Sequence, residues 1–260
     1  MQQVFGILLG ALCSGGTSFC FGTLLLRRLS LELERAEYSA LAFIAGSACL
    51  SQLIFLLCVI SVARQSVFIG IALLAASAVI LTRRPKTHSS FPRFANWWKW
   101  LFGVLFVSFA VVYLVNALAP EMSPDGAAYH VPFVTRYLRA HGFTRIDQNL
   151  YANLSQGIEL LFLPAVSLGG HSAAAFVHFL FLLDLPLLMV SYGRRFGFPL
   201  PGLAAAFLVF ASPVLGWDGT SAYVDVAAAT ILFALFYLLR IWDVSRETRL
   251  LVPIGILAGA

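Results

Sequence analysis

"SALAFIAGSACLSQLIFLLCVISVA", residues 39–63, contains no charged side chain. Wound as an α-helix it rises about 37 Å at about 1.5 Å per residue, more than the roughly 30 Å hydrocarbon core of a bilayer. A helix on the surface of a soluble domain carries a charged stripe opposite its apolar face, and this one has none. Residues 39–63 therefore read as a membrane span.

The pattern recurs outward from that run. Spans are expected at 3–26, 39–63, 66–82, 99–118, 171–192, 199–217 and 220–241, with a fragment of an eighth in "LLVPIGILAGA". The composition agrees: 60% of residues are hydrophobic, 11% are charged, and the mean hydropathy is +0.88. Soluble domains carry about 25% charged residues, so this chain lacks the means to build a polar surface. Runs near twenty residues, rather than alternating tens, exclude a β-barrel. The expected fold is an all-α polytopic transmembrane bundle of seven to eight spans. The first run lacks a basic leader and is followed by Arg27 and Arg28, so it reads as a retained span rather than a signal peptide. The last run is about half a crossing, as if the chain were the N-terminal part of a longer protein. Cys13, Cys20, Cys49 and Cys58 all lie in the first two runs, where they read as small packing residues rather than disulfides or metal ligands.

The net charge of +5 points to membrane sidedness and not to nucleic acid. With the N-terminus outside, 13 of the 17 Lys and Arg residues fall in inner loops, and only Arg64, Arg136, Arg139 and Arg145 stay outside. That asymmetry is the positive-inside pattern. Trp97, Trp98, Trp100, Trp217 and Trp242 fall at span ends, as interfacial aromatics do. The same orientation puts Glu121, Asp125, Asp147, Glu159 and Asp218 outside, with Asp225 just beneath that surface. The expected location is the plasma or inner cell membrane, multi-pass.

The longest connection, 119–170, is rich in chemistry. "SPDGAAYHVPFVTRYLRAHGF", residues 123–143, opens with a helix start: Ser123 as cap, Pro124 at the first helical position, Asp125 in the first turn. That helix is expected to be perturbed at Pro132 and ended by Gly142. A second helix is expected from about Gln156 through "GIELLFLPAVSLGG", and both suit the membrane interface. No internal repeat, P-loop, dinucleotide fingerprint, HExxH, CxxC or GxSxG is present.

A span followed by "PDGAAYHVPFVTRYLRAHGF", "SQGIELLFLPAVSLGG" and "HSAAAFVHFLFLL" resembles the GT-C superfamily of polytopic membrane glycosyltransferases. The resemblance is nearest to the bacterial branch (family 39) related to aminoarabinose and dolichyl-phosphate-mannose protein transferases. It covers residues 99–260, a GT-C-like membrane module truncated at its C-terminus; residues 1–98 would be three leading spans. The resemblance implies transfer of a sugar from a polyprenyl-phosphate donor to a lipid or glycan acceptor at the outer membrane face. It implies Asp125 as the catalytic base, and it matches "QGIE", through Glu159, and "GTSAYVD", through Asp225, to the family's later polar elements. Many relatives carry a second acid beside the first, where this chain has Gly126. No metal ligand set is assigned, although a divalent cation stays open as a cofactor.

The residues bear that reading alongside plainer ones. A polyprenyl-phosphate leaving group needs a carboxylate to take the acceptor's proton and cations to hold phosphate. Asp125 suits the first task, although a first-turn acid also serves the helix dipole for about 0.3–1 kcal/mol. Arg136 and Arg139, with Arg145, suit the second through their forked donors, or anchor in lipid headgroups. His130 follows Tyr129 in the same helix and could contact donor or acceptor. Glu159 heads an apolar helix, and an acid inside a span such as Asp225 tends to face a cavity. His171 and His178 read as interior polar contacts, and Asp184 as a paired structural group. The rival readings are a transporter or lipid flippase, and a non-catalytic membrane assembly protein that would not need Asp125.

Overall fold

The first two long apolar runs meet at glycine. In the computed structural model, which describes residues 2–82 and 95–260, α1 (Gln3–Leu29) and α2 (Arg35–Val59) pack antiparallel. A Cβ on Gly46 would stand 1.7 Å from the Ser18 carbonyl oxygen, and one on Gly22 would stand 1.7 Å from that of Ala42. Two backbones approach this closely only where side chains are absent, as small residues allow between membrane helices.

The contacts of the following elements fix a bundle with two distinct ends. Where α2 finishes, Phe143 N–H donates to the Cys58 carbonyl (3.3 Å) and Ala63 N–H to that of His141 (2.9 Å), which defines the loop end. From there α3 (Gln65–Leu81) runs to the opposite end, where Arg27 donates to the Val79 carbonyl (2.6 Å) and to Thr82 Oγ1 (2.6 Å). The next helix, α4 (Asn96–Ala117), returns to the loop end. The long connection then carries α5 (Val131–Ala140) and α6 (Gly157–Gly169). After it α7 (Ser172–Arg195) descends, α8 (Pro199–Phe210) and α9 (Pro213–Gly219) ascend, α10 (Asp225–Ser245) descends, and α11 (Leu251–Ala258) follows. Eleven helices and no strand make up the described residues, an all-α membrane bundle.

Five of these helices, α1, α2, α4, α7 and α10, are long and apolar enough to cross a membrane, and α8 with α9 makes a sixth if that bent pair is one span. The seven expected spans therefore change in two places. The run at 66–82 forms a helix of 17 residues, below the length of a full crossing by itself, although its ends reach both ends of the bundle. The run at 199–217 is broken by a 67° bend at Ala211 and Ser212, where Pro213 starts a new helix. Arg83, Arg84, Lys86 and Arg93, four of the basic residues behind the sidedness argument, lie outside the described residues.

The helix α6 sits deeper than an interfacial helix. Ser51 Oγ donates to the Gly157 carbonyl (2.6 Å) and Ser14 Oγ to that of Leu161 (2.6 Å), so α6 starts beside the middles of α2 and α1. Ser51 lies eight residues before the end of α2, roughly 12 Å along its axis. From that depth α6 runs outward to the loop end, where Gly169 meets Gly6. Residues 159–166 are all buried, because the helix is apolar on every face and no side of it belongs in water. A π-helical turn in α1 (Leu12–Gly16) places Ser14 for this contact.

At the opposite end a buried polar clasp joins three helices. Glu34 and Glu37 form a capping box at the start of α2. Arg194 reaches Glu34 (3.2 Å), Arg195 pairs with Glu37, and the Tyr237 hydroxyl donates to Glu37. These groups are far from the loop end and hold α2, α7 and α10 in register.

Candidate functional site

The long connection enters its first helix at Pro124, as the Ser123–Pro124 start predicts. The Ser123 hydroxyl does not cap that helix but donates to the Glu121 carboxylate, which also accepts Ser123 N–H (2.8 Å) and Ala222 N–H (2.7 Å). Glu121 thus ties the start of the connection to the turn between α9 and α10. Its carboxylate fills the space beside Gly126: a Cβ there would lie 2.6 Å from Glu121 Oε1 and 2.4 Å from Ser123 Oγ. No side chain, acidic or otherwise, fits at 126 while this clamp holds.

Residues Gly126–His130 form a π-helical turn before α5. Pro132 has no N–H to continue an α-helical ladder back into that turn, which is the perturbation expected there. Four residues apart, Asp125 and Tyr129 share a face, and the charge of Asp125 acts on the Tyr129 phenol. Burial first, and then the charge of Asp125, push the Tyr129 hydroxyl up to about 12, so it stays a donor. Asp125 itself is exposed and its side chain makes no capping hydrogen bond. Tyr151 stacks on Tyr129 with ring centroids 4.4 Å apart, and Tyr223 approaches from the α9–α10 turn, its hydroxyl 3.4 Å from Asp125 N. Asp225 opens α10 two residues after Tyr223, and its charge also acts on the Tyr129 phenol.

One turn further into the bundle lies a second polar layer. His130 Nδ1 is 2.9 Å from Glu159 Oε1, with side chains only 6% and 9% exposed. His178 is fully buried between α7 and α10, its Nδ1 3.0 Å from the Ser221 carbonyl while Ala227 N–H donates to its Nε2 (3.1 Å). That pair of bonds fixes its tautomer and makes it a pin between helices, as expected of an interior histidine. Asp218 lies 3.7 Å from His178 Nε2 and accepts Val226 N–H (3.1 Å). His178 is six residues into α7, roughly 9 Å from its start, so the whole assembly stays near the loop end.

Asp125, His130, Glu159 and Asp225 therefore gather around one end of the bundle. Arg136 and Arg139 do not join them. They lie on the exposed face of α5, about 16 and 21 Å along the helix from Asp125. Both line a cavity of about 580 Å³ that also reaches Glu121 and His171. Arg145 is exposed and paired with Asp147 at 2.5 Å. Among the described residues no group of three His, Cys, Asp or Glu side chains could hold a metal ion. Sequence reasoning passed over Glu121, Tyr129, Tyr151 and Tyr223. Glu121 had a visible signal, an acid two residues before a Ser-Pro helix start. The tyrosines had none, since aromatic residues near span ends are common.

Comparison with known proteins finds no family model, no curated protein and no solved structure that matches the chain.

Proposed function

We propose that the chain is a membrane glycosyltransferase of GT-C type, located in the plasma or inner membrane with its N-terminus and residues 119–170 on the outer side. It takes a sugar from a polyprenyl-phosphate donor and passes it to a hydroxyl of a lipid or glycan. The observation that supports this best is Asp125: an exposed carboxylate on the longest loop, not spent as a helix cap, beside Tyr129 and near Tyr151, Tyr223 and Asp225. Asp125 accepts the acceptor's hydroxyl proton as that oxygen attacks the sugar's anomeric carbon. The bond to the donor phosphate breaks, and the phosphate leaves with the electron pair on the polyprenyl chain. The tyrosine rings offer flat apolar faces to a sugar. The buried His130–Glu159 pair holds the loop helix against α6.

A second reading, transport, has an observation of its own. The bend between α8 and α9 and the half-length α6 that starts within the bundle are the kind of interrupted helices that transporters use. Transporter sites lie near the bilayer midplane, whereas the exposed Asp125 lies on the long connection before α5, outside the long spans. The position favours chemistry at the membrane surface.

The deciding experiment reconstitutes the full-length protein in liposomes with labelled polyprenyl-phosphate sugars and a mixture of lipid and glycan acceptors. Label moving covalently to an acceptor supports transfer; label crossing the bilayer unmodified supports transport. Orientation is tested separately with single cysteines at Thr144 and Ser245 in a cysteine-free background. An impermeant thiol reagent added to intact cells should react only at Thr144, and the reverse would overturn the sidedness.

A further inference from the structure

Behind α5, away from Asp125, lies a second cavity of about 420 Å³. Four of its polar residues come from three separate parts of the chain: Arg64 at the start of α3, Arg139 and His141 at the end of α5, and His171 at the start of α7. No Asp or Glu lines it. It adjoins the cavity of Arg136 and shares Thr135, Arg139 and His171 with it. The nearest acid in that neighbouring cavity, Glu121, already accepts three hydrogen bonds.

The Arg64 and Arg139 side chains are exposed, and neither has an ion pair or hydrogen bond to the protein among the described residues, while Arg145, a few positions away, is paired. His141 Nδ1 is shielded from solvent and has no hydrogen-bond partner. The histidine is held in place by its backbone, with φ at +58° and its carbonyl accepting Ala63 N–H at 2.9 Å. Its neighbour Gly142 packs so closely on α2 that a Cβ would lie 2.5 Å from the Cys58 carbonyl oxygen. With no acid in its lining and two exposed guanidinium groups not spent on protein acceptors, the cavity carries uncompensated positive charge, which draws an anion.

We infer that this cavity binds a phosphate group. Forked guanidinium donors match phosphate oxygens, and a cavity of this size holds a phosphoester rather than a bare ion. The phosphate belongs either to a membrane lipid headgroup or to a soluble phosphorylated compound. The site is about 21 Å along α5 from Asp125, and it uses Arg64, from the part of the chain outside the GT-C-like module. It does not rest on the transfer reading and survives if that reading fails.

The test uses the full chain in a phosphate-free maltoside detergent. One arm adds phosphatidylglycerol and reads retained lipid by native mass spectrometry; the other adds glycerol 3-phosphate and reads equilibrium binding of the labelled compound. Binding in the lipid arm alone assigns a headgroup, and binding in the soluble arm assigns a free phosphoester. In whichever arm binds, Arg64→Gln with Arg139→Gln should weaken it at least tenfold, while Arg145→Gln leaves it unchanged. Arg64→Lys should fall between, because it keeps the charge and loses the fork. Binding in neither arm, or binding indifferent to the Arg64 and Arg139 changes while the protein stays monodisperse, overturns the site.

Discussion

The His130–Glu159 contact gives a prediction that depends on no view of function. Glu159 is the one charged residue of α6, and its Oε1 lies 2.9 Å from His130 Nδ1. Both side chains are more than nine-tenths buried, so water cannot replace either partner. Glu159→Leu suits the apolar surroundings of α6 but leaves the His130 nitrogen without an acceptor. An orphaned buried donor costs about 1–3 kcal/mol, which is the expected loss for this variant. His130→Phe alone should cost a similar amount by stranding the carboxylate. The double variant should lose much less than the sum, since both orphans disappear and a phenyl ring can pack beside Tyr129, Phe133 and Tyr223. Reversible unfolding in mixed micelles, followed by helical circular dichroism, gives the four stabilities. A coupling of about 1–3 kcal/mol is expected; additivity to within about 0.5 kcal/mol would show that the two groups do not interact and that α6 is not held by this pair.

Two further outcomes follow from the geometry. Gly46→Ala places a Cβ 1.7 Å from the Ser18 carbonyl oxygen, so α1 and α2 must separate, at a cost at or above the upper end of the usual overpacking range of about 1–3 kcal/mol; unchanged unfolding would contradict the close helix crossing. Tyr129, held neutral to about 12, contributes stability that is full below the ordinary tyrosine value near 10 and is lost as pH rises through about 12. The difference in 295 nm absorbance between the parent and Tyr129→Phe isolates its titration. The midpoint should fall part of the way back in Asp125→Asn, because burial, the larger cause, stays.

The charge-free runs were enough to read an all-helical membrane bundle, because an uncharged stretch of twenty or more residues has few other fates. They were not enough to place α6. Hydropathy reports that "GIELLFLPAV" avoids water, but not whether it does so at an interface or between helices; the serines at 14 and 51, facing its carbonyls, decide that and carry no local signature. The same limit applies to the bent pair, where Pro213 marks a helix start without revealing the angle. Around the loop end, Asp125, His130, Glu159 and Asp225 could be named individually because an acid or a histidine beside an apolar run is conspicuous. Their grouping was hidden, since His130 meets Glu159 across 29 residues and Asp225 comes from the start of α10. Arg136 and Arg139, eleven and fourteen residues from Asp125, line a cavity that also reaches Glu121 and His171, a grouping that no local pattern in the sequence shows. Gly142 was expected to end α5 by its own freedom; instead His141 takes the left-handed backbone, and the glycine is needed for the approach to Cys58.

The assignment of Asp125 as the base is tested most directly by Asp125→Asn in the full-length protein. Asparagine keeps the size of the side chain and much of its value in a helix's first turn, so expression and thermal stability in detergent should hardly change. What it loses is the proton acceptor, and a positioned base is worth about 10²–10⁴-fold. Transfer from a labelled polyprenyl-phosphate sugar should fall by about 10²-fold or more, while Asp147→Asn, exposed on the same loop and paired only with Arg145, keeps its activity. Near-normal turnover in Asp125→Asn would contradict the catalytic assignment and leave that carboxylate as part of a helix terminus.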